Sequence, residues 1–116
     1  MDKVIRLTGA TPVEWSKRLE CCGNPLWDKN NELSLGILKQ KIDSAKDASA
    51  DMICSACNYC QLQFDEIQNN ALEKTSAEQF PSIFISQLLG LSMGLSEKDL
   101  NIEANHIDFS GIRNFL

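Results

Sequence analysis

The sequence carries no excess of positive charge. Its 116 residues include eleven lysines and arginines against sixteen aspartates and glutamates, which gives a formal net charge of −5 at pH 7. The basic residues are spread along the chain and form no stripe that would neutralise a row of phosphates. This shortage argues against binding to nucleic acid. The length suits a single compact domain with one hydrophobic core.

Long hydrophobic runs are also absent. The most apolar stretch, residues 80–95, is interrupted by Pro81, Gln87 and several serines and glycines. It falls short of the roughly 18 to 20 apolar residues that a membrane-spanning helix needs, so we expect no membrane span. The N-terminal segment is interrupted by polar side chains and does not resemble a signal peptide. We therefore predict a cytoplasmic protein, in which thiols stay reduced.

Histidine, the side chain that most often acts as a general base in catalysis, is nearly missing from the sequence. His106 is the only histidine, and we expect a surface or capping role for it. One remote histidine cannot support a Ser-His-Asp triad or a Cys-His nucleophile pair. The glycine-containing segment at residues 90–96 lacks the Gly-Lys pair of a phosphate-binding loop. The sequence thus identifies no catalytic residue.

Hydrophobic patterns predict helices that alternate with strands. The predicted helices cover residues 2–8, 31–46, about 58–73 and 86–94, with a final short helix from Ser96. The predicted strands are ATPVEW at residues 10–15, ADMICSA at residues 50–56 and PSIFI at residues 81–85. This alternation predicts an α/β fold with a small parallel sheet flanked by helices. In the helix over 58–73, an apolar stripe is expected to consist of Cys60, Phe64, Ile67 and Ala71.

Five cysteines are the most informative residues that are present. Cys21 and Cys22 are adjacent and precede Gly23, which would allow a tight turn. Cys57 and Cys60 form a CxxC motif at a predicted helix N-terminus, where the pKa of a thiol is lowered. We expect the Cys21–Cys22 pair to follow the first strand. Because sites in α/β sheets collect at the carboxyl ends of the strands, we predict that both pairs meet there.

Several chemistries are compatible with these thiols. An odd number of cysteines in a cytoplasmic chain favours metal binding or catalysis over a disulfide framework. Four thiolates from two loops suit an iron–sulfur cluster or zinc, and adjacent cysteines fit two irons of one cluster better than tetrahedral zinc. A dithiol of Cys57 and Cys60 is another possibility, although it leaves Cys21 and Cys22 unexplained. Inert buried thiols are the remaining interpretation.

Three segments resemble the cysteine-rich CCG domain of the heterodisulfide reductase family. They are LTGATPVEWSKRLECCGNPL, MICSACNYCQLQFD and FPSIFISQLLGLSMGLSEKDL, and the resemblance covers residues 8–100. The family pairs a CCG motif with a downstream CxxC motif, and here the 34 residues 23–56 separate the two. Related subunits of certain succinate and fumarate reductases, and of glycolate and lactate oxidation complexes, contain the same domain.

The resemblance implies a ligand set and a function. Cys21, Cys22, Cys57 and Cys60 would bind an iron–sulfur cluster, of the noncubane four-iron type. The domain would pass electrons, supplied by flavin and iron–sulfur partner subunits, to a disulfide of the coenzyme B–coenzyme M type. The alternative is a zinc-stabilised docking domain of a succinate/fumarate reductase-type or hydroxy-acid oxidase complex. Cys54 has no counterpart in the family pattern, so we predict a strand residue or a spare thiol there.

The resemblance also bears on domain organisation. The family pattern includes a further cysteine well upstream of the CC pair, whereas only twenty residues precede Cys21 here. We therefore expect residues 1–116 to be one cysteine-rich domain that forms the C-terminal portion of a longer subunit.

Overall fold

The computed structural model describes residues 1–72 and 79–108, and it contains a two-stranded parallel sheet. In this sheet β1 (Ile53–Ser55) pairs with β2 (Ser82–Phe84), and Cys54 lies opposite the fully buried Ile83. Helices contact both strands. The predicted α/β fold with a small parallel sheet is confirmed.

Helices make up most of the remaining regular structure. They are α1 (Asp2–Leu7), α2 (Asn31–Asp47), α3 (Asn58–Leu62), α4 (Gln68–Ala71) and α5 (Ile85–Ser92), and a π-helical segment (Gln63–Ile67) joins α3 to α4. Short 3₁₀ turns occur at Asn24–Leu26 and Ile102–Ala104. The four main predicted helices are confirmed to within a few residues at their described ends, and residue 73 lies outside the described residues. In the part of the chain that the structure describes, no helix is both long and apolar enough to cross a bilayer.

The α2 helix supplies one wall of the hydrophobic core. Its N-terminus is capped by Asn30, whose side chain accepts the N–H of Leu33 at 3.1 Å. Leu38, Ile42 and Ala45 recur at helical spacing and are all buried. They pack in one cluster that also contains Cys22, Ile53, Phe64 and Phe80. The core therefore lies directly behind one of the predicted ligands.

The π-helical segment changes which residues are buried after it. Phe64 and Ile67 are buried as predicted, but Ala71 is exposed, so the predicted stripe is wrong at its last position. A π-turn contains one residue more than an α-turn, so later side chains rotate out of the α-helical stripe. Gln68 occupies the buried position instead; it accepts the Phe80 N–H at 2.6 Å and donates to the Phe80 carbonyl at 2.9 Å.

Two predicted elements are absent among the described residues. Residues 10–15 form no strand, because Pro12 removes a donor and no neighbouring strand pairs with this segment. The short helix expected from Ser96 is a turn, in which Asp99 N–H donates to Ser96 Oγ at 3.1 Å and the Ser96 hydroxyl donates back to the carboxylate at 2.6 Å. Asn101 then adopts a φ of 54°, in the left-handed region, which ends the turn.

Candidate metal centre

The Cys21–Cys22 pair follows a series of turns at residues 16–19. The expectation that it follows a strand is therefore wrong. Cys21 is exposed, whereas the Cys22 side chain is buried in the core. Backbone amides point at both sulfurs: Gly23 N–H donates to Cys21 Sγ at 3.4 Å, and Asn24 N–H donates to Cys22 Sγ at 3.5 Å. This short segment, residues 21–24, is called the CC corner below.

Gly23 lets the CC corner lie directly against α2. Its φ is +90°, a conformation that L side chains rarely adopt. A Cβ added there would lie 2.8 Å from the Ser34 carbonyl oxygen and 3.2 Å from Ile37 Cβ. The residue is therefore required both for the turn, as the sequence indicates, and for the close approach to the helix.

A buried polar network connects the CC corner to the helix that carries the CxxC motif. Gln63, fully buried in the π-helical segment, donates to Ser34 Oγ at 3.0 Å, and the Ser34 hydroxyl donates to the Gly23 carbonyl at 2.8 Å. The Asn24 side-chain amide donates to Gln63 Oε1 at 3.2 Å. Sequence reasoning missed this network. The available signal was Ser34, a polar residue one turn before Leu38 on the buried face of α2.

The CxxC motif lies at the junction of β1 and α3. Cys57 is the N-cap of α3 and follows the last residue of β1 by two positions. The backbone N–H groups of Cys60 and Tyr59 donate to its sulfur and lower the pKa of Cys57. The partly buried Cys60 behaves oppositely, because burial raises the pKa of its thiol to about 12, with further contributions from the Cys22 and Cys57 thiols. The predicted lowering at the helix start is thus confirmed for Cys57 alone.

Cys60 brings the two cysteine pairs together. It packs against the core cluster that contains Cys22, and the thiols of Cys22 and Cys57 both contribute to the raised pKa of Cys60. Within residues 1–72 and 79–108, however, no group of three or more His, Cys, Asp or Glu side chains is arranged to hold a metal ion. The proximity of Cys60 to Cys22 and Cys57 therefore does not amount to a closed ligand shell among the described residues. That Cys21, Cys22, Cys57 and Cys60 bind one metal centre at the carboxyl edge of the sheet stays a prediction.

The donor atoms themselves fit the implied cofactor. All four predicted ligands are thiols, and soft thiolates are the ligands of iron–sulfur clusters and of structural zinc. All five cysteines are free. The N–H donors at Cys57 lower its pKa and so favour the thiolate, which is the form that binds metal. The chemistry of the donor set therefore favours a thiolate-bound metal centre.

A lysine that the sequence reasoning passed over lies beside this site. Lys41 is only 6% exposed, and its ammonium donates to the carbonyls of Lys17, Arg18 and Glu20 at 2.6, 3.1 and 2.7 Å. It also lies 4.8 Å from the centroid of the Trp15 ring. Burial lowers the pKa of Lys41, and attraction to nearby thiols and to the Glu20 carboxylate opposes that shift. The sequence contained one indication of its burial: Lys41 lies three residues after Leu38 and four before Ala45, which places it on the same apolar face of the helix.

Two other predicted residues lie apart from the thiol cluster. Cys54 is in β1 and packs against the buried Ile83 and Leu88, and burial raises the pKa of its thiol to about 11. Its assignment as a strand residue is confirmed. His106 is exposed, as expected; its Nδ1 lies 2.8 Å from Asp65 Oδ2, and its backbone N–H also donates to that carboxylate.

A cavity of about 900 Å³ lies between the N-terminal segment and β1. It is lined by α1, by residues 9–13 and by Trp15, Met52 and Cys54, among others. None of the four predicted ligands lines this cavity. The cavity and the cysteine site are therefore separate features.

Comparison with known proteins identifies the family. The family model of the cysteine-rich domain CCG matches residues 1–65, and this range contains all four predicted ligands. The chain is 36% identical over 109 residues to a subunit of the Ferredoxin/F(420)H(2)-dependent CoB-CoM heterodisulfide reductase of Methanosarcina acetivorans, covering 91% of the chain and 36% of that protein. It is equally similar to the corresponding subunit of the ferredoxin:CoB-CoM heterodisulfide reductase of Methanosarcina mazei, with 36% identity and the same coverage.

A third relative belongs to a different kind of complex. The chain is 32% identical over 112 residues to the 8-methylmenaquinol:fumarate reductase membrane anchor subunit of Wolinella succinogenes, covering 92% of the chain and 38% of that protein. The chain therefore spans little more than a third of the length of these curated relatives. From the matched family model and these identities, the chain belongs to the cysteine-rich CCG domain family of redox-complex subunits.

Proposed function

We propose that this chain is an iron–sulfur domain of a redox complex and that it passes electrons to a disulfide of the coenzyme B–coenzyme M type. The observation that carries the proposal is that Cys60 packs against the core cluster that contains Cys22, and that both Cys22 and Cys57 raise its pKa. The CCG and CxxC motifs are therefore neighbours in space. Two of the relatives are heterodisulfide reductase subunits by name, which supports the disulfide as substrate.

Each cysteine pair contributes differently to binding the cluster. Cys21, Cys22, Cys57 and Cys60 would hold a cluster of the noncubane four-iron type, which supplies one-electron redox chemistry when bound. The Gly23 and Asn24 amides donate to the sulfurs of Cys21 and Cys22 and fix the positions of both sulfurs. Burial of Cys22 in the core keeps water from that side of the site. The exposed Cys57 leaves the opposite side open to solvent or to a substrate.

The proposal extends to partners and to location. The relatives are named as subunits of reductases, two of which take electrons from ferredoxin by name. We therefore expect flavin-containing and iron–sulfur subunits to supply electrons to this domain. Five free cysteines are consistent with a reducing compartment, so the proposed location is the cytoplasm.

The test is anaerobic purification followed by reconstitution with iron and sulfide. Iron and sulfide content, visible absorbance and an electron paramagnetic resonance signal should all appear in the wild-type chain. Single Cys→Ser changes at residues 21, 22, 57 and 60 should abolish them, whereas Cys54→Ser is the matched control and should keep them. Stoichiometric zinc without iron, bound by the same four cysteines, would instead support the zinc-stabilised docking domain.

One observation favours a second function, that of a dithiol oxidoreductase. An exposed Cys57 of lowered pKa next to Cys60, whose pKa is raised to about 12, resembles a nucleophilic thiol with its resolving partner. In such a reaction the two thiols would lose two electrons and two protons to a disulfide substrate and form the Cys57–Cys60 disulfide. This function would be favoured if metal-free protein forms the Cys57–Cys60 disulfide reversibly and still reduces a disulfide substrate.

A further inference from the structure

We propose that Lys41 is a positioning residue of the cysteine site, which fixes the turn before Cys21 and places a buried positive charge beside the thiols. The positional part stands on this structure alone. The electrostatic part rests on the proposed function, because it concerns a bound cluster.

The hydrogen bonds of Lys41 fix the backbone that leads into the CC corner. An ammonium has three N–H donors, and the three carbonyls of Lys17, Arg18 and Glu20 accept from it. The Glu20 carbonyl belongs to the peptide bond that connects directly to Cys21. Residues 16–19 form turns and have no strand pairing, so the bonds of Lys41 tie the backbone before the CC corner to α2, while Ser34 of the same helix binds the corner itself.

The groups that Lys41 contacts directly do not neutralise its positive charge. Carbonyl oxygens and the Trp15 ring are neutral partners, and a buried ammonium is costly unless a negative group offsets it. The groups whose charged forms would attract it are Cys22, Cys60, Glu20 and Cys21, in decreasing order of strength. Three of these four are predicted ligands. Lys41 therefore supplies a positive charge that would offset the negative charge of these three sulfurs when they bind metal.

The buried charge of Lys41 bears on electron transfer. Reduction adds negative charge to a thiolate-bound centre, and a nearby buried cation stabilises that charge because solvent screens it poorly. A cluster held by the four cysteines should therefore be easier to reduce with Lys41 than without it. A residue with a purely structural role would not change the midpoint potential of a cluster that still forms.

The test compares Lys41→Met and Lys41→Gln with Lys39→Met, which changes an exposed lysine of the same helix. In metal-free protein, amide hydrogen exchange is measured over residues 17–22. Glu20 N–H, which donates to the Lys17 carbonyl at 3.1 Å, reports on the turn. Both Lys41 variants should exchange faster there than Lys39→Met. After reconstitution, both should show a lower midpoint potential, and Lys41→Gln guards against a folding failure of the methionine variant.

The outcomes separate the two proposals. Unchanged exchange over residues 17–22 in both Lys41 variants overturns the positional role. A cluster that forms in both variants with the potential of Lys39→Met overturns the electrostatic role. If wild-type protein takes up no cluster while exchange is still faster in the Lys41 variants, the proposed function fails and the positional role stands.

Discussion

The CC corner and the CxxC motif hold their thiols by different means. Cys57 and Cys60 lie where β1 passes into α3, so backbone geometry of two regular elements sets their positions. The CC corner is irregular and follows the turns at residues 16–19. Side chains from elsewhere fix it: Ser34 and Gln63 bind the corner, and Lys41 binds the carbonyl of the residue before it. One half of the candidate site is thus built by local sequence and the other half by tertiary hydrogen bonds.

This difference predicts how each half responds to mutation. A site fixed by helix and strand geometry tolerates changes that preserve φ and ψ, because its hydrogen bonds are mostly main-chain. A site fixed by buried side chains fails when one of them is removed, because the remaining donors and acceptors lose their partners. The following variants test that contrast.

We expect the largest effect from Gly23→Ala in the CC corner. An alanine at a φ of +90° costs roughly 1–2 kcal/mol, and its Cβ would lie 2.8 Å from the Ser34 carbonyl, which adds roughly 1–3 kcal/mol for overpacking. The free energy of unfolding should fall by about 3 kcal/mol in all. Urea denaturation followed by circular dichroism measures this loss, and iron content after reconstitution should fall with it.

Gly9→Ala is the matched control for this change. Gly9 also has a positive φ, +88°, but a Cβ there would meet no atom within 4 Å. The control should therefore show the conformational cost alone, roughly 1–2 kcal/mol. Equal losses in the two variants would mean that the close approach of the CC corner to α2 contributes nothing.

Gln63→Leu should have the next largest effect. Leucine keeps the buried volume, but it removes the acceptor of the Asn24 side-chain amide and the donor to Ser34 Oγ, which keeps only its bond to the Gly23 carbonyl. Such a loss costs roughly 1–3 kcal/mol. The same denaturation experiment measures it, and hydrogen exchange should rise in the CC corner before it rises in β1.

The control for Gln63→Leu is Gln40→Leu, which changes an exposed glutamine of α2. A surface change of this kind should stay within about 0.5 kcal/mol of wild type. If exchange in Gln63→Leu increases equally in β1 and in the CC corner, the network serves the core in general and does not position the corner.

The sequence predicted the regular half of the site because its signals are local. Strand-length apolar residues before a CxxC motif indicate β1, a helix start and the lowered pKa of Cys57. The CCG and CxxC motifs led to the family that the comparisons then identified. The strand, the helix start and the motifs all depend on residues close together in the chain. Hydrophobic periodicity and motif spacing therefore indicate them directly.

The irregular half was not predictable in this way. The expected strand over residues 10–15 does not form, and nothing local shows that Lys41 binds the carbonyls of residues 17, 18 and 20. The π-helical segment likewise moved the buried position from Ala71 to Gln68. Ser34, Lys41 and Gln63 look like ordinary polar residues in the sequence, and only their burial shows their role.

The smallest effect is expected from a proline at the start of α3. Asn58 occupies the first helical position, whose N–H lies outside the helical hydrogen-bond ladder, and Cys57 before it has the extended conformation that proline requires, with φ −115° and ψ 129°. Asn58→Pro should therefore leave the free energy of unfolding unchanged or raise it by up to about 1 kcal/mol. Asn58→Ala is its control.

An asparagine-to-proline change in the CC corner should have a much larger effect than the one at the start of α3. Asn24→Pro removes the N–H that donates to Cys22 Sγ and the amide that donates to Gln63, so it should destabilise the chain by roughly 1–3 kcal/mol. The amides that lower the pKa of Cys57 belong to Tyr59 and Cys60, so Asn58→Pro should leave the alkylation rate of Cys57 at neutral pH unchanged. A large loss of stability in Asn58→Pro would show that the CxxC half also depends on tertiary contacts, because local backbone geometry alone would have accepted the proline.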